Sequence, residues 1–390
     1  MINAWALVGT REAATKAEAV LLRMLRPSPP GAKDDSIVRP DTTVFNAAMN
    51  AWSLSGDPEA GSKCLELFRQ MKELAETEGH DTRPDIFTYN TLLSAWSNCG
   101  HPNAAQQTEK IVAEMRKQEG ESSDAPHPNT ISYNTILNAW SKSQLPGAAP
   151  RAQKVLEFML KSNHDDVQPD IYSFTSVINA WAKSKEPNKS VHAREMLNQL
   201  VELYETTHRA DLRPTQIPYN TVLNACAFSA SGTTMEEQRE ALQIAVSTFT
   251  DMSKSGIPPD NITYGNLLKC FANLMPQGAA RTEMALQIFD KCVTDGLVGN
   301  LAWNEARKSI PSGTLMKKYR LKRQPGGMRV RDLPRSWRGK TKKDRKRQRT
   351  DTHSTQGNHD TDAQHDTPTI SADPRGHAIT ERSFESGKDL

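Results

Sequence analysis

Four asparagines, Asn46, Asn90, Asn134 and Asn220, each follow an aromatic residue, and Thr175 and Gly265 stand at the same place in two further copies of that context. Asparagine is a poor helix former, so its recurrence at one helical position points to a task other than folding. The chemistry of a carboxamide is hydrogen bonding, as both donor and acceptor. A second polar column follows a proline: Asp41, Asp85, Asn129, Asp170, Thr215 and Asp260 come directly after Pro40, Pro84, Pro128, Pro169, Pro214 and Pro259. These side chains accept hydrogen bonds from the free backbone N–H groups that open a helix, which any helical protein would use. Bond-making chemistry has no comparable support. There is no Gly-rich phosphate loop and no His-x-Glu with Cys-x-x-Cys that would hold a catalytic zinc. The region after residue 310 is basic and then polar, with no separate globular stretch to converge carboxylates. We expect no enzyme activity, no cofactor and no metal site; His353, His359 and His365 read as spacers in a polar tract.

The elements that must position these columns repeat. "TYNTLLSAW" from Thr88 recurs as "VFNAAMNAW" from Val44, "SYNTILNAW" from Ser132, "SFTSVINAW" from Ser173, "PYNTVLNAC" from Pro218 and "TYGNLLKCF" from Thr263. The aromatics Phe45, Tyr89, Tyr133, Phe174, Tyr219 and Tyr264 are 44, 44, 41, 45 and 45 residues apart, the self-similarity of a repeat array. Within a unit, Tyr89, Leu92, Leu93 and Trp96 fall at i, i+3, i+4 and i+7, one apolar face of a helix. A break such as "CGHPN" from Cys99 is followed by a second periodic stretch with Ile111, Val112 and Met115. Neither helix can bury its stripe alone, so the prediction is an all-α superhelical solenoid of stacked helix-turn-helix repeats. Trp52, Trp96, Trp140 and Trp181 share the stripe with Leu and Ile and read as core.

The Pro-Asp, aromatic-Asn-Thr and Ala-x-x-x-Leu-x-x-Met elements recur together over residues 1 to about 310, and in this the chain resembles the pentatricopeptide repeat family. Its units run longer than the family's, with extra residues in loops such as 117–128, and its tryptophans stand where a smaller apolar residue is usual. The resemblance implies six right-handedly stacked repeats at 42–85, 86–129, 130–170, 171–215, 216–260 and 261–300, here numbered first to sixth. A truncated repeat at 1–41 would precede them, and a terminal capping helix at 301–310, a basic tail at 311–350 and a disordered polar tail at 351–390 would follow.

It also implies a function: binding single-stranded RNA base by base, a mode known for helical repeats. The residue after the aromatic and the residue after the closing proline would read one base edge from the concave surface. The pairs would be Asn46 with Asp85, Asn90 with Asn129, Asn134 with Asp170, Thr175 with Thr215, Asn220 with Asp260 and Gly265 with Asn300. Phe87, Ile131, Tyr172, Ile217 and Ile262, with Thr43 a weaker member, would sandwich the bases. Asn/Asp pairs resemble those that prefer uracil, and Asn/Asn pairs those that take cytosine or uracil. Read 5′ to 3′ from the N-terminus, the first five repeats spell U, C or U, U, any base, U, a pyrimidine-rich preference. The simpler alternatives are that the aspartates are helix caps alone and that Phe87 and Tyr172 pack on the preceding unit. A competing class is a helical scaffold of the tetratricopeptide type that clamps peptides, although its unit of about 34 residues and Trp-x-x-Leu-Gly signature are not seen.

Composition fits these expectations. The net charge of +3 hides an asymmetry: residues 311–350 hold 16 Lys/Arg against 2 Asp/Glu, residues 351–390 hold 3 against 8, and the rest 30 against 36. The stretch "KTKKDRKRQR" from Lys340 would add sequence-independent attraction to a polyanion, or serve as a nuclear localisation signal. The five cysteines are scattered, which suits a reducing compartment, and no apolar run is long enough to insert into a membrane. "MINAWA" at the start matches "VINAWA" from Val177, so the chain is expected to begin in mid-helix, with any transit peptide upstream. The resemblance implies RNA processing, stability or translation in a mitochondrion or plastid, with a separate RNA-processing enzyme as partner.

Overall fold

A computed structural model describes residues 2–26, 39–78, 82–121, 125–229, 234–321 and 328–338. The basic stretch 340–349 and the polar tract 351–390 lie outside the described residues. The fold is all-α and runs as helix pairs. The first helices are α1 (Ile2–Ala6), α3 (Thr42–Leu54), α5 (Ile86–Asn98), α7 (Thr130–Lys142), α9 (Ile171–Lys183), α11 (Gln216–Ala227), α13 (Asn261–Leu274) and α15 (Asn300–Ser309). The second helices are α2 (Arg11–Met24), α4 (Ala60–Glu78), α6 (Ala104–Glu121), α8 (Ala148–Lys161), α10 (Lys189–Thr207), α12 (Met235–Lys254), α14 (Ala279–Thr294) and the short α16 (Ser312–Lys318).

Each first helix packs on the first helix of the next pair, from α1 on α3 through to α13 on α15, while each second helix from α2 to α14 bridges its own first helix and the following one. That arrangement buries the whole aromatic column, Phe45, Tyr89, Tyr133, Phe174, Tyr219 and Tyr264, in one continuous core with the four tryptophans. The joints are local chemistry. Gly56 and Gly100 sit at φ of +64° and +70° just after α3 and α5, a left-handed conformation that glycine adopts without a Cβ clash.

Three of the four tryptophans find a partner in the preceding unit's second helix. Trp52 Nε1 donates to Glu18, Trp140 Nε1 to Glu109 at 2.9 Å and Trp181 Nε1 to Gln153 at 3.1 Å. Leu65 occupies the corresponding place before Trp96, and the buried Trp96 Nε1 has no partner.

The expectation for the C-terminal end needs correcting. Residues 301–309 belong to α15, the first helix of an eighth pair: Trp303 and Asn304 follow its N-cap Gly299 at the spacing by which Tyr89 and Asn90 follow Asp85. The region 311–350 is not a structureless basic tail throughout. α16 packs Leu315 into the core, and residues 328–338 return over the last pair. There Val298 N donates to Trp337 O at 2.8 Å, Leu297 and Arg338 form an antiparallel bridge, and Trp303 Nε1 donates to Met328 O at 3.0 Å. Trp337 lies 5.1 Å from the Tyr319 ring and 6.2 Å from Phe289, centre to centre. The end of a repeat array exposes an apolar face that its neighbours would otherwise cover, and this strap covers it.

No helix among the described residues is long and apolar enough to cross a membrane.

Candidate nucleic-acid interface

The residue after each proline is the N-cap of the next first helix. Asp85, Asn129, Asp170 and Asp260 each accept the backbone N–H three residues on, at 2.7 to 3.1 Å, and the Ser or Thr at that third residue closes a capping box. Thr215 caps through Ile217 N at 3.4 Å. Asp41 accepts from Val44 N and from the Thr43 hydroxyl; the Thr43 hydrogen bond, with the backbone bond behind it, holds its carboxyl below the usual range.

Four of the six expected pairs meet across neighbouring repeats. Asn46 Nδ2 donates to Asp85 Oδ1 at 3.3 Å, Asn90 Nδ2 to Asn129 Oδ1 at 3.5 Å, and Asn220 Nδ2 to Asp260 Oδ1 at 3.1 Å. Asn134 Nδ2 reaches both Asp170 oxygens, at 3.1 and 3.0 Å. The N-cap carboxylate has lone pairs to spare after capping its own helix, so one side chain serves both. The amide column is not exposed as its pattern suggested: Asn46 and Asn220 are 6% and 8% exposed, and Asn90 and Asn134 are half-buried. The neighbouring unit covers them.

The other two pairs are not brought together in this way. Thr175 turns its hydroxyl back to Ile171 O at 2.6 Å, the usual habit of a helical threonine, and Thr215 serves as a cap. Gly265 is no partner for Asn300. A Cβ built on it would lie 2.5 Å from Leu301 Cγ, so this glycine lets α15 approach α13 closely; Asn300 lies one residue beyond the N-cap.

The second residue of each first helix stands clear of the core. Phe87, Ile131, Tyr172, Ile217 and Ile262 are all exposed, from 48% at Ile262 to 72% at Tyr172, and Thr43 is exposed as well. Phe87 and Tyr172 therefore do not pack into the preceding unit. The second and fifth residues of a helix lie three apart on one face, so this apolar row runs beside the amide and N-cap pairs. Large apolar side chains spaced one per repeat on the surface contribute nothing to the core.

The pentatricopeptide repeat domain model matches residues 72–143, which hold Asp85, Asn90, Asn129 and Asn134. Residues 72–143 thus carry the sequence signature of a pentatricopeptide repeat. Its similarity to solved structures includes the pentatricopeptide repeat protein PPR10 from maize, at 18% identity over 81% of this chain and 47% of that one, with a TM-score of 0.40. A second is PPR10 in complex with an 18-nt psaJ RNA element, at 16% identity over 82% of this chain and 55% of that one, with a TM-score of 0.36. The chain thus spans about half the length of the solved structures it matches. No curated protein matches it.

Two features of the repeats were not singled out in the sequence. Lys142 and Lys183 close the first helices of the third and fourth repeats, eight residues beyond Asn134 and Thr175. Lys142 Nζ lies 2.9 Å from Asn98 Oδ1 in the previous repeat; burial first, and Lys183 second, lower its pKa. Their equal offset from the amide column was the available signal. The other feature is the hydroxyl three residues after each N-cap: Ser132 Oγ donates to Asn90 Oδ1 at 2.7 Å and Ser173 Oγ to Asn134 Oδ1 at 2.5 Å. The S/T-rich third position is legible as half of a capping box, but its reach into the preceding repeat is not.

Among the described residues no group of three or more His, Cys, Asp and Glu is placed to hold a metal ion. The five cysteines are all buried and unpaired with one another.

Proposed function

We propose that this chain binds single-stranded RNA with one base per repeat. Each base would lie between exposed side chains of successive repeats, such as Ile131 and Tyr172, with its edge facing the amide and N-cap pair. The carrying observation is the exposed row from Phe87 to Ile262, set directly beside the amide pairs. Covering the face of a splayed base suits such residues, and stacking is indifferent to sequence. The amide and N-cap groups supply the sequence-dependent part. That PPR10 has been solved with an RNA element supports the reading. Lys142 and Lys183 would meet phosphates, fixing the strand's position without reading it.

The finer assignments follow the residue pairs. The first five repeats would select U, C or U, U, any base, U; the sixth has no reading pair. Such a chain would act in organellar RNA processing, stability or translation, in a mitochondrion or plastid, as a binding module with any chemistry left to a separate enzyme. The basic stretch 340–349 makes the nucleus the alternative location.

The test is Tyr172→Ala, which removes an exposed ring and leaves the core untouched. Loss of one base–aromatic stack should weaken binding of a UCUNU-containing oligonucleotide by about 1–3 kcal/mol with the melting temperature unchanged. Unaltered RNA affinity would remove the sandwich. Capture of peptides but no RNA by the same face would replace this function with that of a peptide scaffold.

A further inference from the structure

By residue type Asn46/Asp85, Asn134/Asp170 and Asn220/Asp260 are the same reading pair, yet their amides are held differently. Asn134 is tied at both ends: its Nδ2 lies on Asp170 Oδ1 and Oδ2, and its Oδ1 accepts from Ser173 Oγ. Asn90 likewise has both ends engaged, by Asn129 and Ser132. Asn46 and Asn220 are tied only through Nδ2, and the Oδ1 of each is buried without a donor. Since a carboxylate N-cap can only accept there, the NH2 end must face it, which leaves the oxygen as the orphan.

The difference follows one residue. Where the third residue after the N-cap is serine, its hydroxyl lies nearer to the preceding repeat's amide oxygen, at 2.7 and 2.5 Å, than to the Oδ1 of its own N-cap, at 3.2 and 3.0 Å. Where it is threonine, the hydroxyl stays on its own N-cap, with Thr88 Oγ1 at 2.7 Å from Asp85 Oδ1 and Thr263 Oγ1 at 2.9 Å from Asp260 Oδ1. Ser132, Ser173, Thr88 and Thr263 are all fully buried, so the change of partner tracks the side chain and not its exposure.

We propose that this Ser/Thr alternation sets how sharply each repeat discriminates its base, serine latching the reading amide and threonine leaving it free to turn. The inference rests on the base-reading function proposed above. An amide that turns toward a base gives up its bonds within the protein. Asn46 and Asn220 give up one, and turning relieves a buried acceptor that has no partner, an arrangement that is itself unfavourable. Asn134 gives up three and strands the Ser173 hydroxyl. Uracil presents an N–H where cytosine presents a bare ring nitrogen, so an amide oxygen free to accept separates these two bases. The first and fifth repeats therefore discriminate U from C more sharply than the third. Ser173 and Thr88 are positioning residues in this scheme: Ser173 touches the amide and Thr88 the N-cap Asp85 that holds it, and neither touches the base.

The test titrates the full-length protein with oligonucleotides that exchange U for C at one place of the UCUNU element. The expected U-over-C ratio is about tenfold larger at the first and fifth bases than at the third, the size of one hydrogen bond gained or lost. Ser173→Thr should raise the ratio at the third base and leave the others alone, and Thr88→Ser should lower it at the first. Because Ser173→Thr adds a methyl to a buried place, a chain that fails to fold leaves Thr88→Ser, which removes one, to decide. Equal ratios in the native chain, or ratios that ignore both substitutions, overturn the proposal and leave base reading standing. A chain that binds all the oligonucleotides alike overturns base reading, and the latch with it.

Discussion

Asp170 does two things at once: it caps α9 through Ser173 N at 2.9 Å and it holds the Asn134 amide of the preceding repeat. The cap reading and the base-reading assignment therefore name the same atoms, and substitution separates them. Asp170→Ala removes the cap and should lower stability by about 1–2 kcal/mol in a denaturant titration. Asp170→Asn keeps a good N-cap, so stability should hold within about 0.5 kcal/mol while the third base relaxes from U toward C or U, as for Asn90 and Asn129. A fall in stability as large as that of the alanine variant would show that the charge, not the cap, holds the joint. At this scale the columns were legible because their spacing repeats. Their burial was not: periodicity tells which face an asparagine shares, and only the stacked neighbour determines whether that face meets water.

Where the first repeat meets the second, Gly61 on α4 lies against the Trp96 ring on α5. A Cβ there would come 2.5 Å from a ring carbon, although the corresponding Ala14, Ala105 and Ala149 are accommodated elsewhere in the array. Trp96 is also the one of the four tryptophans whose indole N–H lacks a partner, because Leu65 replaces the Glu or Gln of the other units. Gly61→Ala should cost about 1–3 kcal/mol by overpacking, read from the shift in unfolding midpoint, and Ala105→Gly should cost less. A stabilised Gly61→Ala chain would mean that the ring moves freely. The helix pairs themselves were readable from the i, i+3, i+4, i+7 stripe. The partners of Trp52, Trp140 and Trp181 lay 28 to 34 residues away, on a different helix, where no local pattern reaches.

For the molecule as a whole, the strap 328–338 seals the last pair. Trp337→Ala should destabilise the C-terminal pairs by about 3 kcal/mol, as for an aromatic lost from a core. In an array whose units contact only neighbours, hydrogen exchange should accelerate in α14 and α15 and stay unchanged in α3 to α7. Uniform loss of protection would mean that the array unfolds as one unit. Because α16 and residues 328–338 are built into the fold, removal of the basic stretch must start at residue 339. Deleting 339–390 should weaken RNA binding at low salt and flatten its salt dependence, with the base preference unchanged. An unchanged salt slope would assign the stretch to targeting. The buried thiols bear on the same scale: burial pushes Cys226 and Cys292 up to about 12, so a thiol reagent at pH 8 should label neither until the array unfolds.

The sequence by itself determined the repeat, its helix pairs, the N-cap column, the apolar row beside it and the buried aromatic stripe. Each is a local or strictly periodic property, written in the order of residues along one helix or in the interval to the next copy. Tertiary structure alone decided which polar atoms are satisfied: the amide oxygens latched by Ser132 and Ser173 but left bare at Asn46 and Asn220, and the indole N–H partnered at Trp52, Trp140 and Trp181 but not at Trp96. It also decided that Gly265 is a point of close approach and that a basic, turn-rich segment folds back as a cap. The reason is physical. Hydrogen-bond satisfaction and close packing depend on distances of about a few tenths of an ångström between residues 28 to 42 positions apart, and such distances exist only once the neighbouring repeat is in place.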